Sequence, residues 1–300
     1  MSGVRKFLQG CFLILNVLTL ASHHKLKTMA ISSFKFSGEA AWNYDKYLGP
    51  VLFEPFARYL VSGLTGCEKV TDVLEIACGT GRVTRHLRGH FKPPVKLTAS
   101  DFSSDMLEVA KSVLDDPSID FRVEDAQNLS FPDHSFDLVI CQFGMMFLPD
   151  KKKGISEALR VLKPGGRFIF STWDKTAHIP ILKLVFDDVI VPYLGEGDPA
   201  RLLVPFSLFD PAQLVGWMQE AGFKDAESKR VVLPSGAGSP DGIVNGLFVK
   251  HSLGRQVIEE NPEKYKEMLE KITEGISREF GNAAITFELA AFFNMGRKAK

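Results

Sequence analysis

Residues 73–84, VLEIACGTGRVT, join a short apolar run to a glycine-containing turn and then to the start of a helical pattern. The apolar run is typical of a strand that is buried on both faces. Gly79 and Gly81 allow left-handed backbone geometry and a close approach of a ligand, both of which a Cβ would obstruct. The stretch therefore predicts a strand, a tight loop and a helix, with a cofactor bound at the loop.

Composition limits the class of protein. The 300 residues are 45% hydrophobic, and 36 basic residues balance 36 acidic ones, so no overall positive field would attract a nucleic acid. The four cysteines show neither metal-ligand spacing nor a CxxC pair, which favours a reducing compartment and predicts no metal site. We expect a cytoplasmic protein that is a monomer or a weak dimer.

The N-terminal 38 residues contain no Asp or Glu, and Arg5 and Lys6 precede an apolar run over residues 7–21. The run is shorter than the roughly 20 residues that a membrane-spanning helix needs. Two interpretations stay open: residues 1–28 are a dispensable extension before Met29, or they target the chain to an organelle or a membrane.

From residue 71 onward, predicted strands and helices alternate, which indicates a parallel sheet with helices on both faces. The strands are expected at 72–77, 95–100, 119–123, 136–142 and 166–173, and the helices at 81–90, 104–114 and 150–162. Pro164, Gly165 and Gly166 are expected to end the last of these helices and turn the chain.

The C-terminal part contains a helix bracketed by Asp210, Pro211 and Gly222, in the positions of an N-cap, a first-turn proline and a C-terminal glycine. A strand over 223–233, helices at about 240–254 and 261–277, and a last strand in ITFELAAFFNMGRK are expected after it. The predicted organisation is an extension (1–38), an N-terminal helical lid (39–70) and a main domain (71–300) with cap insertions at about 174–209 and 236–280.

Ligands of open α/β sheets bind outside the carboxyl ends of the strands. Asp101 stands there, about twenty residues past the glycine turn, where its carboxylate could accept the hydroxyls of an adenosine ribose. It could equally cap the helix that starts near Ser104. A dinucleotide-binding fingerprint would have a third glycine where this chain has Thr84.

Four blocks together resemble one known family: VLEIACGTGRVT, TASDFSSDML, VEDAQNLSFPDHSFDLVICQFGMMFLPD and EALRVLKPGGRFIFSTW. The chain is similar over about residues 40–175 to the class I S-adenosylmethionine-dependent methyltransferases, in the small-molecule branch of the ubiquinone and menaquinone methyltransferase-like enzymes. The resemblance implies a Rossmann-like sheet of seven mostly parallel strands with the last strand antiparallel. It also implies S-adenosylmethionine as the methyl donor and a small-molecule acceptor as the partner.

The resemblance further implies a set of cofactor-binding residues at the strand ends. They are Glu75, Ala77, Gly79 and Gly81 on the methionine and adenosyl side, Asp101 on the ribose, Phe102 and Met106 against the adenine, Asp125 and Ala126 at the adenine edge, and Gln142 and Phe143 beside the sulfonium.

The acceptor is expected to be small and apolar. Residues 142–145 read Gln-Phe-Gly-Met, which lacks the Asn-Pro-Pro-Tyr sequence common in methyltransferases that act on the amines of bases and glutamine, and Phe143 and Met145 offer an apolar wall. Methyl transfer can proceed mainly by proximity and orientation, and Tyr44, Asp174 and His178 are the candidates if a base is used. Two alternatives remain: a protein that binds S-adenosylmethionine without catalysis, and a nicotinamide-dependent reductase with an atypical glycine loop.

Overall fold

A single sheet of seven strands organises the part of the chain that a computed structural model describes, residues 39–193, 203–237, 239–249, 258–259 and 262–300. The strands are β1 (Asp72–Ile76), β2 (Lys96–Asp101), β3 (Ile119–Val123), β4 (Phe136–Gln142), β5 (Leu162–Trp173), β6 (Lys224–Ala237) and β7 (Ile285–Arg297). Their spatial order is β3-β2-β1-β4-β5-β7-β6. Strands β1 to β5 run parallel to one another, and β7 is antiparallel to both of its neighbours, β5 and β6. The predicted Rossmann-like sheet is confirmed.

Helices cover both faces of this sheet. The α-helices are α1 (Glu39–Asn43), α2 (Glu54–Ser62), α3 (Arg82–His90), α4 (Ser104–Leu114), α5 (Lys151–Val161), α6 (Pro180–Leu182), α7 (Val191–Tyr193), α8 (Pro211–Ala221), α9 (Pro240–Val244) and α10 (Pro262–Phe280). Three π-helical segments span Tyr44–Phe53, Lys183–Ile190 and Asn245–Val249, and short 3₁₀ turns lie at Met145–Phe147, Thr176–His178 and Val204–Phe206. Within the described ranges, no helix has the length and apolar character needed to cross a bilayer.

The three π-helical segments all lie in the regions predicted as lid and caps. Segment 44–53 connects α1 to α2, and the backbone of Tyr47 lies so close to Gly246 of segment 245–249 that a Cβ there would be 3.2 Å from the Tyr47 oxygen. Segment 183–190 packs on α10, where Gly275 faces Leu184. Wide helical turns are frequent at functional sites. The expectations for residues 1–38, 194–202 and 250–254 fall outside the described residues.

Strand β5 begins four residues earlier than the sequence predicted. Leu162 already pairs with Phe136 of β4, and the register then shifts before the next pair. Gly165 has a φ of +79° in this irregular stretch, and its N–H donates to the carbonyl oxygens of Lys298 and Ala299. Pro164 and the two glycines therefore lie in an irregular part of a strand, whereas the prediction made them a separate turn.

Strand β6 continues to Ala237, past Pro234 and Gly236, whereas the sequence predicted a strand that ends at residue 233. Proline has no backbone N–H to donate. Because β6 is the edge strand, no further strand lies beyond it to require that donor, so Pro234 can pair with Glu288. At Gly236, a Cβ would collide with the carbonyl oxygen of Ile285. Glycine is therefore required by the close approach of the two strands.

The predicted ends of helix α8 are confirmed. The Asp210 side chain accepts hydrogen bonds from the backbone N–H groups of Ala212 and Gln213, Pro211 lies in the first turn, and Gly222 ends the helix with a φ of +108°. These capping groups satisfy backbone donors and carbonyls that a helix leaves unpaired.

Candidate active site

The loop after β1 has the backbone geometry that its glycines predicted. Gly79 and Gly81 have φ angles of +56° and +81°. A Cβ at Gly81 would lie 2.7 Å from the Leu114 side chain of α4, so the loop passes close to this helix. Ala77 also has a positive φ of +54°, which is uncommon for a residue with a side chain. Strained backbone of this kind is concentrated at functional sites.

Asp101 binds this loop to the end of β2. One carboxylate oxygen accepts the Gly79 N–H at 2.8 Å, and the other accepts the Ser103 N–H at 2.8 Å. The N-cap of α4 is Ser103, whose hydroxyl accepts from Met106 N at 3.3 Å, so Asp101 is not needed for that task. Burial raises the pKa of the Asp101 carboxyl above its ordinary value, although the backbone N–H groups act in the opposite direction. A carboxylate can accept about four hydrogen bonds, so acceptor capacity remains on Asp101 for a ligand hydroxyl.

Glu75 is almost completely buried, with 2% of its surface exposed. The Thr84 hydroxyl donates to its carboxyl at 2.6 Å. Burial, aided by the charge of Asp101, raises the pKa of Glu75 to about 8, so the carboxyl is mostly protonated at neutral pH. A dinucleotide fingerprint has glycine at the position of Thr84. In this chain, the Thr84 side chain instead makes a hydrogen bond to Glu75.

The residues predicted on the adenine side separate into exposed and buried ones. The Phe102 side chain is 77% exposed directly after Asp101, which leaves its ring accessible to a planar group. Met106 is buried with Ala41 and Val109. Asp125 accepts hydrogen bonds from the backbone and side chain of Gln127, and Ala126 is buried. These contacts shape the loop at the end of β3.

The turn after β4 lies directly against the glycine loop. A Cβ on Gly144 would be 2.5 Å from the Ala77 Cβ and 2.7 Å from the Cys141 sulfur, so only glycine fits there. Phe143 adopts a positive φ of +53° in this turn. The structure therefore brings Gln142 and Phe143 next to the loop that follows β1.

Aromatic rings form a cluster at the ends of β4 and β5. The rings of Phe143 and Trp173 are stacked, with centroids 3.9 Å apart and an interplanar angle of 8°. Phe53 of the lid lies 5.7 Å from Phe143 and 5.9 Å from Trp173, and Phe206 of the first cap lies 6.5 Å from Trp173. Met145, predicted as part of this wall, is instead buried in the core beside Gly154 of α5. We call Phe53, Phe143, Trp173 and Phe206 the aromatic cluster.

The lid segment 44–53 is bonded to the glycine loop and to the start of α3. Asp45 accepts hydrogen bonds from the Thr80 hydroxyl at 2.8 Å and from the Arg82 guanidinium at 2.7 Å. Arg82 also donates to the Asp45 backbone oxygen and lies 3.5 Å from a carboxylate oxygen of Glu54. A Cβ at Gly49 would collide with the Arg82 guanidinium. Lid and loop therefore share one network of charges.

Of the three base candidates, Tyr44 lies at the loop. Its ring stacks on Phe53 with centroids 5.0 Å apart, and a Cβ at Gly79 would contact it at 4.0 Å. Burial, followed by the charge of Asp101, raises the pKa of the Tyr44 hydroxyl well above its ordinary value. The hydroxyl therefore stays protonated at neutral pH, which suits a hydrogen-bond donor better than a base.

Asp174 and His178 lie farther along, past the end of β5. The Asp174 carboxylate accepts from Arg230 of β6 at 2.7 Å and pairs with the His178 ring at 3.0 Å. Burial opposes the charge of Asp174, but these hydrogen bonds outweigh it and lower the pKa of the carboxyl. The His178 side chain is about half exposed. Arg230, the partner of this pair, belongs to β6. Among the described residues, no hydrogen bond joins Asp174 or His178 to the glycine loop.

Cys78 follows β1, and Cys141 lies near the end of β4. Both are buried, and burial raises the pKa of both thiols, so neither is a thiolate at neutral pH. This environment matches packing and opposes a role as nucleophile.

Several residues of the site were not predicted: Asp45, Thr80, Arg82, Phe53 and Trp173. Arg82 stands within the glycine motif, and its position in the first turn of a helix was a usable signal. No sequence pattern identified Asp45 as a site residue. It lies 35 residues before Thr80, and only the fold brings the two together.

A parallel sheet with a glycine loop after β1 and a carboxylate at the end of β2 is the arrangement of proteins that bind adenosine-containing cofactors. The family described as methyltransferase domain matches residues 73–166. The chain is 32% identical over 177 residues to the ubiquinone/menaquinone biosynthesis C-methyltransferase UbiE of Francisella tularensis subsp. novicida, covering 54% of this chain and 70% of that enzyme. It belongs to the class I S-adenosylmethionine-dependent methyltransferases.

Solved structures share the fold. The YcgJ protein of Bacillus subtilis superposes with a TM-score of 0.53 at 20% identity, over 81% of this chain and 98% of that one. Phosphoethanolamine N-methyltransferase 2 of Haemonchus contortus, solved with S-adenosylhomocysteine, gives 0.55 at 18% identity, over 87% of this chain and 57% of that one. These structures show the fold, and the family match together with the UbiE relative shows a methyltransferase that uses S-adenosylmethionine as methyl donor.

Proposed function

We propose that the protein methylates a small apolar acceptor, which the aromatic cluster holds against the methyl group of S-adenosylmethionine. The observation that carries this proposal is the stacked pair of Phe143 and Trp173 beside the glycine loop, with Phe53 and Phe206 adding rings from the lid and the cap. Such rings favour an apolar, planar body through burial and stacking. The UbiE relatives are named for ubiquinone and menaquinone biosynthesis, so quinols belong in the first panel of acceptors.

The residues around the loop fit the cofactor. S-adenosylmethionine has a ribose, an adenine and a zwitterionic amino-acid end, but no phosphate. Asp101 would accept the ribose hydroxyls, and the exposed ring of Phe102 would lie against the adenine. The left-handed backbone at Gly79 and Gly81 would permit the close approach that the amino-acid end requires.

The protein contributes position and exclusion of water. When bound, S-adenosylmethionine supplies a methyl group that is already activated by its positive sulfur. The lid, fixed by Asp45 and Arg82, would exclude water, and the aromatic cluster would orient the acceptor. The protonated hydroxyl of Tyr44 would donate a hydrogen bond and abstract no proton.

Thermal unfolding tests the cofactor site. S-adenosylmethionine or S-adenosylhomocysteine should raise the melting temperature, and NADH should not. Asp101→Ala should abolish this increase, because the carboxylate binds both the ribose and the loop. Asp120→Ala, which removes a half-exposed carboxylate from β3, is the matched control and should leave the increase intact. A response to NADH alone would contradict the assignment.

A screen for S-adenosylhomocysteine production tests the acceptor class. Quinols, phenols, carboxylates and amines of small metabolites form the panel. Turnover is expected with apolar, ring-containing members, and Trp173→Ala should reduce it while leaving S-adenosylhomocysteine binding in place. Methylation of RNA or protein alone would show that the acceptor class is wrong.

A further inference from the structure

Gln142, the last residue of β4, has an amide whose orientation is determined by the lid. Its Nε2 donates to the Phe53 carbonyl oxygen at 3.2 Å. Only the NH₂ end of an amide can donate, so the reverse orientation would set two acceptor oxygens against each other. The amide oxygen Oε1 must therefore point away from the lid carbonyl.

Oε1 is an acceptor without a donor. Its exposed area is less than 1 Å², and within the described residues no group donates a hydrogen bond to it. Leaving a buried acceptor unpaired costs about 1–3 kcal/mol, and native proteins contain few such atoms. An unpaired buried oxygen at the edge of a binding site is a position at which a ligand can supply the missing donor.

The strand order indicates which ligand meets this oxygen. Asp101 ends β2, the glycine loop follows β1, and β4 lies on the opposite side of β1 from β2. A cofactor held by its ribose at Asp101 and passing over the loop therefore reaches β4 with its far end. Beyond β4 lie β5 and Trp173, where the aromatic cluster begins. Gln142 stands at the junction of the cofactor side and the acceptor side.

The surroundings of the amide exclude most other partners. Phe53, which supplies the carbonyl, packs its ring on Tyr44, Phe143 and Trp173. An acceptor enclosed by these rings is bound mainly by apolar contact and needs few polar groups. One hydrogen-bond donor placed at Oε1 would fix its orientation.

We propose that Gln142 is a specificity-determining residue that accepts a hydrogen bond from the methyl acceptor, and that the acceptor is an apolar ring compound with an O–H or N–H group at or beside the methylated atom. This inference rests on the proposed function. For a hydroxyl acceptor, the methyl carbon gains a bond to oxygen as its bond to sulfur breaks, and the bonding pair stays on sulfur. The hydroxyl proton passes to a water molecule that enters the site together with the acceptor, and Gln142 orients the hydroxyl without taking the proton.

Binding of shape-matched compounds tests the inference independently of turnover. The probes are 2-naphthol and 2-methylnaphthalene, with phenol and toluene as a smaller pair, titrated into the full chain saturated with S-adenosylhomocysteine. The hydroxyl compound of a pair should bind about tenfold more tightly, since only it can satisfy Oε1. In Gln142→Leu the ratio should fall to about one, and in Gln219→Leu, an exposed glutamine of α8, it should stay unchanged.

Gln142→Glu is a second variant that keeps an acceptor oxygen but cannot donate to the Phe53 carbonyl as a carboxylate. It should retain part of the preference for the hydroxyl compound. The affinity of Gln142→Leu for S-adenosylhomocysteine should stay within about twofold of the wild type, which also shows that the variant is folded.

Three outcomes would overturn the inference: equal binding of both compounds by the wild type, a preference that survives in Gln142→Leu, or a loss of S-adenosylhomocysteine affinity in that variant. The last result would assign Oε1 to the ammonium group of the cofactor. A preference that depends on Gln142, without turnover of any acceptor, would support the inference and count against the proposed methylation of ring compounds.

Discussion

The Glu75 carboxyl is buried in the sheet and is stabilised there by a hydrogen bond from one hydroxyl group. The carboxyl lies among buried residues of β1 and keeps a hydrogen bond from Thr84. A protonated carboxyl avoids most of the cost of burying a charge, and this is why its pKa rises to about 8.

This pKa predicts that stability depends on pH. In the unfolded chain Glu75 ionises near its ordinary pKa of about 4.3, whereas in the folded protein it ionises near 8. Between these values the unfolded state loses the proton first, so the contribution of Glu75 to the free energy of unfolding decreases by up to about 1.4 kcal/mol per pH unit. Urea unfolding at pH 5, 6, 7 and 8 measures the decrease.

Glu75→Gln should remove most of this pH dependence, because the amide cannot ionise and can still accept from Thr84. Glu108→Gln, at an exposed position of α4, should keep the wild-type dependence. If Glu75→Gln and the wild type lost stability in parallel over this range, the carboxyl would not be the group that titrates.

At the scale of elements, partly buried charges hold the segment that was predicted as a lid. Asp45 and Arg82 are each less than one-fifth exposed, and Arg82 joins Asp45 and Glu54 of the lid region to α3. Arg58 also pairs with Glu54, but its side chain is 72% exposed. Buried pairs leave an uncompensated charge when one partner is removed, whereas exposed pairs contribute little.

We therefore predict different effects for two substitutions in neighbouring elements. Asp45→Ala should lower the free energy of unfolding by roughly 2 kcal/mol, since it leaves the hydroxyl of Thr80 and the charge of Arg82 with fewer partners. It should also weaken S-adenosylhomocysteine binding about tenfold, because Thr80 belongs to the glycine loop. Arg58→Ala should change stability by less than about 0.5 kcal/mol. Calorimetric titration and urea unfolding give both quantities.

If Asp45→Ala and Arg58→Ala lowered the free energy of unfolding equally, the partial burial of Asp45 and Arg82 would not determine the contribution of this network to stability. A loss of stability in Asp45→Ala with unchanged S-adenosylhomocysteine affinity would limit the network to holding the lid helices in place.

At the scale of the whole molecule, residues Phe36–Lys300 form one compact unit, which contains the complete sheet and all the candidate site residues. We propose that this unit binds the cofactor without residues 1–28. A chain that starts at Met29 should show the same ligand-induced increase in melting temperature as the full chain. At a concentration 100 times the dissociation constant, stabilisation of about 2.7 kcal/mol corresponds to roughly 4–5 °C for a chain of this size.

Location in the cell is compared for the same two chains. Identical location and activity would remove any anchoring or targeting role for residues 1–28. A smaller ligand response in the shorter chain would contradict the proposal that residues 36–300 suffice.

Local patterns in the sequence determined the sheet, and the resemblance of four sequence blocks to a known family implied the cofactor class. Apolar runs, glycines and helix caps specify strands, turns and helix ends through interactions that span only a few residues. For that reason the sequence alone predicted three features. They are the strand, loop and helix of VLEIACGTGRVT, the position of Asp101 at the end of a strand, and the ends of the helix that stops at Gly222. The course of β5 through Pro164 could not be predicted, because it depends on pairing with β4 and with the C-terminal residues.

Tertiary structure alone decided how the site is closed and oriented. The hydrogen bond of Asp45 to Thr80 joins residues 35 apart, and that of Gln142 to the Phe53 carbonyl joins residues 89 apart. Neither contact produces a periodic pattern or a fixed spacing in the sequence, because each depends on how the segment 44–53 packs over the sheet. The sequence thus implied the methyl donor through its resemblance to a family, and packing between distant elements decided which side chains meet at the candidate site.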